Sequence, residues 1–190
     1  MIGKTIAELQ QGDHAELTRV VADEDIAGFV EAVGDYNPVH SDPAYAATTV
    51  FKAPIAPGIF TAGLISAVIG TTLPGPGSIY LSQSLKFTKP VFAGDTITAR
   101  VEIAEVIRDR NRVRLRTVCV NQRGEEVLSG EAWVMPSRTS VVYEGRRNGL
   151  TSLAAWPLTP WTFAAQAMAA WTALGLALVG GTRATSADPR

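Results

Sequence analysis

The 190-residue chain has one cysteine, Cys119, and two histidines, His14 and His40. A single cysteine excludes an intrachain disulfide. Two histidines far apart, with no cysteine cluster, offer no metal-ligand spacing. Net charge is almost absent: 17 Lys and Arg against 18 Asp and Glu leave −1 at pH 7, which removes the electrostatic reason to expect nucleic acid as a partner. Residues 1–11 carry one lysine and no apolar run of the kind a secretory leader needs, so the expected location is the cytoplasm. Cys119 sits in an apolar, strand-like run, where a buried inert thiol is the ordinary outcome. Nothing in the sequence implies a metal or redox cofactor.

Against that sparse background one stretch concentrates chemistry. Asp35-Tyr36-Asn37-Pro38-Val39-His40 places a carboxylate, a carboxamide and an imidazole within six residues. Apolar Ile26, Phe29, Val30 and Val33 before it recur as one buried helix face. Asp23 is the expected N-cap, and Gly34 fits the left-handed position past the helix end. Pro38 biases Asn37 towards extended backbone. Asp42-Pro43 reads as an N-cap followed by proline at the first helical position. Asp35 and His40 are thus expected on a short stiff loop between two helices. An imidazole and a carboxylate together are the minimum equipment for removing one proton and delivering another near neutral pH. Asp, Asn and Pro are also ordinary turn residues, so the spacing alone leaves a plain turn open.

The rest of the chain supplies a scaffold. Residues 16–21 fit a first strand. Residues 59–72 are uncharged and apolar on every side, too short to cross a bilayer, and are expected as a buried helix. Gly58 stands at its start, where unpaired N–H groups and the positive end of the helix dipole suit a developing oxyanion. Four strand-like runs follow, at 77–89, 95–108, 112–121 and 126–135, separated by turn signals at Gly94-Asp95, Asp109-Arg110-Asn111 and Arg123-Gly124. An antiparallel meander after a buried helix implies an α+β fold, one sheet wrapped round one helix. Arg108, Arg110, Arg112, Arg114 and Arg116 alternate from the end of the second of these runs, through the turn, into the third. They read either as a solvated sheet face or as contacts for the phosphates of a substrate.

The motif from Asp35 to His40 resembles the hydratase-2 motif of the MaoC-like (R)-specific enoyl-CoA hydratases. The likeness continues through Ala46-Ala47-Thr48-Thr49, Ala53-Pro54-Ile55-Ala56-Pro57-Gly58, Leu73-Pro74-Gly75-Pro76-Gly77-Ser78-Ile79-Tyr80-Leu81 and Phe87-Thr88-Lys89-Pro90-Val91-Phe92-Ala93-Gly94-Asp95. It covers residues 17–136 and is greatest for the short, single-domain hydratases that feed polyhydroxyalkanoate synthesis. The resemblance implies a hot-dog fold and a homodimer. It implies reversible hydration of a short trans-2-enoyl-CoA to the (R)-3-hydroxyacyl-CoA, with CoA entering as part of the substrate. By matching position, Asp35 and His40 would be the proton-transfer pair and Gly58 N–H the oxyanion donor. Asn37 is expected to orient the loop or the substrate through its amide, and Ser66, at a matching pocket position two turns into the buried helix, to line the acyl pocket. Which of Asp35 and His40 is acid and which is base stays open. Pro57 stands where close relatives often carry histidine, so this dipeptide offers one N–H at most. A carrier-protein dehydratase, a hot-dog thioesterase and a non-catalytic acyl-binding module are the competing readings.

Three segments are therefore expected: a hydratase domain over 1–137, a polar linker over 138–155, and a tail over 156–190. From 156 to 182 the tail has no charged residue. Thr159-Pro160 reads as a helix start, and a helix from there to Gly180 would be about 30 Å long at 1.5 Å per residue. Contact with a membrane or lipid granule, packing on a partner or on the domain, and a loosely ordered end are three open readings of it. The resemblance does not reach this segment.

Overall fold

A computed structural model describes residues 1–144; the tail and most of the expected linker lie outside the described residues. The long uncharged run forms helix α3, Gly58–Thr71, with Leu64, Ile65, Val68 and Ile69 buried. Its apolar residues surround the whole axis rather than forming a stripe, so it is suited to lie inside the fold. Each fully buried side chain of this kind contributes about 1.5–3 kcal/mol over its exposed state.

The sheet that receives α3 has five antiparallel strands in the order β2-β4-β5-β6-β3: β2 (His14–Val20), β3 (Ile79–Phe87), β4 (Thr96–Ile107), β5 (Arg112–Val120) and β6 (Glu126–Met135). Alternation decides which face meets the helix. Ile97, Ala99, Val101 and Ile103 of β4 and Val113, Leu115, Thr117 and Cys119 of β5 are fully buried, and α3 packs on β2, β3, β4 and β5. Burial pushes the Cys119 thiol up to about 12, in keeping with an inert core residue. On the opposite face Arg114 bridges Glu105 and Glu131 at 3.2 and 2.7 Å, and Arg116 lies 3.8 Å from Glu102. That is the solvated face the arginine alternation allowed.

The α+β reading and the strand boundaries hold to within a few residues. A further two-stranded pair, β1 (Ile2–Gly3) with β7 (Val141–Val142), was not legible in the sequence. It carries the ordered fold past residue 137, into the stretch read as linker. Among the described residues no helix is long and apolar enough to cross a membrane.

Between β2 and α3 lie α1 (Asp23–Val33) and α2 (Pro43–Thr48). Asp23 is the first helical residue rather than the N-cap; Ala22 takes that place. The Asp25 carboxylate accepts from the Ala22 N–H at 3.2 Å and also holds Arg19. The helix start is therefore served from its third position, and the Arg19 guanidinium keeps the Asp25 carboxyl below the usual carboxylate range. Gly34 ends α1 in left-handed backbone at φ 73°, as expected of the residue past a helix end.

Candidate active site

The loop between α1 and α2 is short and held at both ends. Gly34 N–H and Asp35 N–H both donate to the Val30 carbonyl, at 2.8 and 3.2 Å. Asp42 accepts from Ala44 N–H and Tyr45 N–H at 2.9 and 3.0 Å, capping α2. Between these anchors Pro38–His40 forms a single 3-10 turn. Asn37 accepts from Val39 N–H at 3.3 Å through its side-chain oxygen, which occupies that oxygen in shaping the loop.

The turn brings His40 Nε2 to 3.6 Å from Asp35 Oδ2. The His40 side chain is 9% exposed and that of Asp35 46%, so the imidazole is embedded and the carboxylate reaches outwards. His40 Nδ1 lies 2.8 Å from the Ile55 carbonyl oxygen. A carbonyl only accepts, so the hydrogen is assigned to Nδ1. In the neutral ring Nε2 is then the bare nitrogen, on the side where Asp35 stands.

Ile55 belongs to the segment Pro54-Ile55-Ala56-Pro57. Its N–H donates to Val39 O at 3.2 Å, and Ala56 N–H donates to Val91 O at 2.8 Å. Three residues after Ile55, Gly58 opens α3 with Pro57 as N-cap. Pro57 has no N–H, and the Gly58 N–H has no acceptor among the described residues. One rigid segment thus carries the carbonyl that orients the imidazole and the free N–H that can receive a negative oxygen.

Gly58, Ile55, Phe51, Phe87, Lys89 and Val91 line a mostly apolar cleft of about 410 Å³. A Cβ on Gly58 would stand 2.8–3.1 Å from three atoms of the Phe87 ring. The close approach of the Phe87 ring therefore favours glycine at this position. His40 lines a second cavity, about 570 Å³, shared with Tyr36, Ile26, Val30 and Phe92; its bond to Ile55 links the two. Ser66 lies on an exposed part of α3 and lines neither cavity.

Of the residues singled out in the sequence, the structure brings Asp35 and His40 together and sets Gly58 at the adjoining helix start. Asn37 caps the turn, and Ser66 sits two turns further along α3. The Ile55 carbonyl and Phe87 were not foreseen. Two prolines bracketing Ile55 and Ala56 were the available signal for the first. The second joins residues 29 positions apart and had no local signal.

A sheet wrapped on a central helix makes this a hot-dog fold, with an imidazole–carboxylate pair on the loop that precedes the helix. The chain belongs to the MaoC-like domain family, whose match covers residues 5–124. It is 46% identical over 132 residues to an (R)-specific enoyl-CoA hydratase of Rhodospirillum rubrum, covering 69% of this chain and 91% of that one. It is 47% identical over 127 residues to a 3-hydroxybutyryl-CoA dehydratase of Methylorubrum extorquens, covering 67% and 80%. Among solved structures it resembles the unliganded R-hydratase PhaJ1 from Pseudomonas aeruginosa, with TM-score 0.72 and 44% identity, covering 79% of this chain and 97% of that one.

Proposed function

We propose that this protein hydrates short trans-2-enoyl-CoA thioesters reversibly to (R)-3-hydroxyacyl-CoA. The observation that carries the reading is the Asp35–His40 pair, with the imidazole oriented by Ile55 and a free Gly58 N–H three residues further on. The names of the relatives support the substrate class.

In the hydration direction the thioester oxygen accepts from Gly58 N–H. As water attacks Cβ, negative charge gathers on that oxygen, where the donor and the positive end of α3 stabilise it. His40 Nε2 takes one proton from the attacking water, and the remaining hydroxyl becomes the 3-hydroxy group. Protonated Asp35 delivers a proton to Cα. The sum is one water added, with His40 protonated and Asp35 ionised. Their 3.6 Å separation lets the proton return directly or through one water, which restores the starting state. With Nδ1 donating to Ile55, Nε2 is the nitrogen that exchanges a proton with water; in this reading the neutral ring is the base and Asp35 the acid.

The active form is a homodimer. β3 is an edge strand with Ile79, Tyr80, Leu81 and Phe87 exposed, a surface that natural proteins normally cover. The exposed positions Ile59, Gly63, Ser66 and Gly70 lie on one side of the uncharged α3. A second copy paired along β3 would cover both, and would place Ser66 in a closed acyl pocket. The product is the thioester class that the sequence resemblance connects with polyhydroxyalkanoate synthesis. The test is incubation of purified protein with crotonyl-CoA. Loss of the enoyl absorbance and formation of (R)-3-hydroxybutyryl-CoA is the expected result. Release of free CoA thiol would instead make it a thioesterase.

A further inference from the structure

The sequence pointed to the outer-face arginines as possible phosphate contacts, but Arg114 and Arg116 are engaged by carboxylates there. Arg108 donates to the Ile6 and Leu9 carbonyls at 2.7 and 3.3 Å. Arg110 and Arg112 border a different recess, with Leu81 and Trp133. The cation on the wall of the cleft that holds Gly58 is Lys89.

Lys89 is fixed there by its backbone. Thr88 N–H donates to Val127 O at 3.0 Å, and the Thr88 hydroxyl donates to Glu126 O at 2.6 Å. Val127 itself lines the cleft. The Lys89 ammonium lies 2.6 Å from Glu125 Oε1, and Arg123 Nε donates to Glu125 Oε2 at 2.8 Å. One carboxylate thus serves two cations, and the cluster carries one net positive charge in a chain whose overall charge is −1. The Lys89 side chain is 47% exposed, so its remaining donors face solvent at the cleft. A neutral thioester alone gives no reason for a cation at this place. A substrate whose thiol arm ends in a phosphate does.

Resting on the hydratase reading, we propose that Lys89, assisted by Arg123, is the specificity-determining contact for the phosphate of the phosphopantetheine arm, the group common to CoA and carrier-protein thioesters. Lys89 moves no proton in the reaction. Its role is to select and hold phosphorylated thioesters at the mouth of the cleft.

The experiment compares Lys89→Gln, Glu125→Gln and the wild type on crotonyl-CoA, crotonyl-phosphopantetheine, crotonyl-pantetheine and a crotonyl carrier protein. Wild-type turnover of crotonyl-pantetheine, which lacks phosphate, tests the hydratase reading independently. Lys89→Gln should raise KM for crotonyl-CoA and crotonyl-phosphopantetheine about tenfold, the size of one charge-assisted hydrogen bond. It should leave kcat, and the KM for crotonyl-pantetheine, unchanged. Glu125→Gln breaks the ion pair but keeps the cation, so KM for the phosphorylated substrates should not rise. A rise with the carrier protein as well assigns the contact to the shared phosphate. A rise confined to CoA, absent with crotonyl-phosphopantetheine, would move the contact to the nucleotide and overturn the proposal. Equal losses on the phosphorylated and unphosphorylated thioesters, or the same loss in Glu125→Gln, would show a structural ion pair and also overturn it.

Discussion

The Ile55 carbonyl and His40 Nδ1 stand 2.8 Å apart, and this contact decides which imidazole nitrogen is available to water. The carbonyl comes from a segment bracketed by Pro54 and Pro57, so the ring is oriented by backbone that has little freedom to move. Asp35→Asn and His40→Ala should each lower kcat/KM by about 10²–10⁴-fold, the usual scale of general acid–base catalysis. Thermal melting should move little for Asp35→Asn, whose side chain reaches outwards, and should fall for His40→Ala, which empties an embedded site and leaves the Ile55 carbonyl without its partner. Near wild-type hydration in either variant would contradict the assignment.

Gly58→Ala keeps the N–H but sets a methyl 2.8–3.1 Å from the Phe87 ring. The ring must shift, and because Phe87 is 50% exposed the cost should stay near the lower end of the roughly 1–3 kcal/mol that overpacking carries. Activity should fall although the donor is retained. Adding Phe87→Ala should restore the melting temperature of the alanine variant towards that of Phe87→Ala alone. A purely additive pair of losses would mean that the two residues do not meet.

Glu125 accepts from Asn121, Lys89 and Arg123, and these bonds, in that order of effect, lower its carboxyl to about 2. A depressed folded-state value stabilises the fold fully above the ordinary 4.5 and loses that contribution as pH falls towards 2. The difference in melting temperature between wild type and Glu125→Gln should therefore be constant above pH 5 and shrink as pH falls below about 4.5. The side chain lies at the surface, so the difference should be small and reduced by salt.

The dimer has its own test. Leu81→Lys puts a charge on the exposed edge strand β3, the residue type that natural edges use to prevent pairing. Sedimentation should find the wild type at twice the mass of one chain and the variant as a monomer of reduced activity. A wild-type monomer that hydrates crotonyl-CoA at full rate would remove the need for a partner.

The parts legible in the sequence were those set by local chemistry. Gly34, Pro38 and Asp42-Pro43 marked the loop because each imposes its own backbone geometry or cap. The buried helix was evident because no residue from 59 to 72 is charged. The alternating arginines of residues 108–116 marked the strand face that meets solvent rather than the core. What was not legible depends on residues brought together from afar. The Ile55–His40 bond spans 15 positions, and the approach of Phe87 to Gly58 spans 29. The β1–β7 pair joins strands too short to show a period. Asp23 was misplaced by one residue because Asp25, three positions after Ala22, does the capping from inside the helix. The tail, read from composition alone, lies outside the described residues.

The central claim is that Asp35 and His40 act from one side of the double bond, because Nε2 and Oδ2 are only 3.6 Å apart. Hydration of crotonyl-CoA in deuterium oxide tests it most directly, since deuterium enters Cα as the hydroxyl enters Cβ. Same-face addition gives one diastereomer of (3R)-3-hydroxybutyryl-CoA, with deuterium and hydroxyl delivered syn, and NMR coupling constants identify it. The account expects that single syn product at early conversion. The anti diastereomer, or an equal mixture formed before any back-exchange, would contradict it.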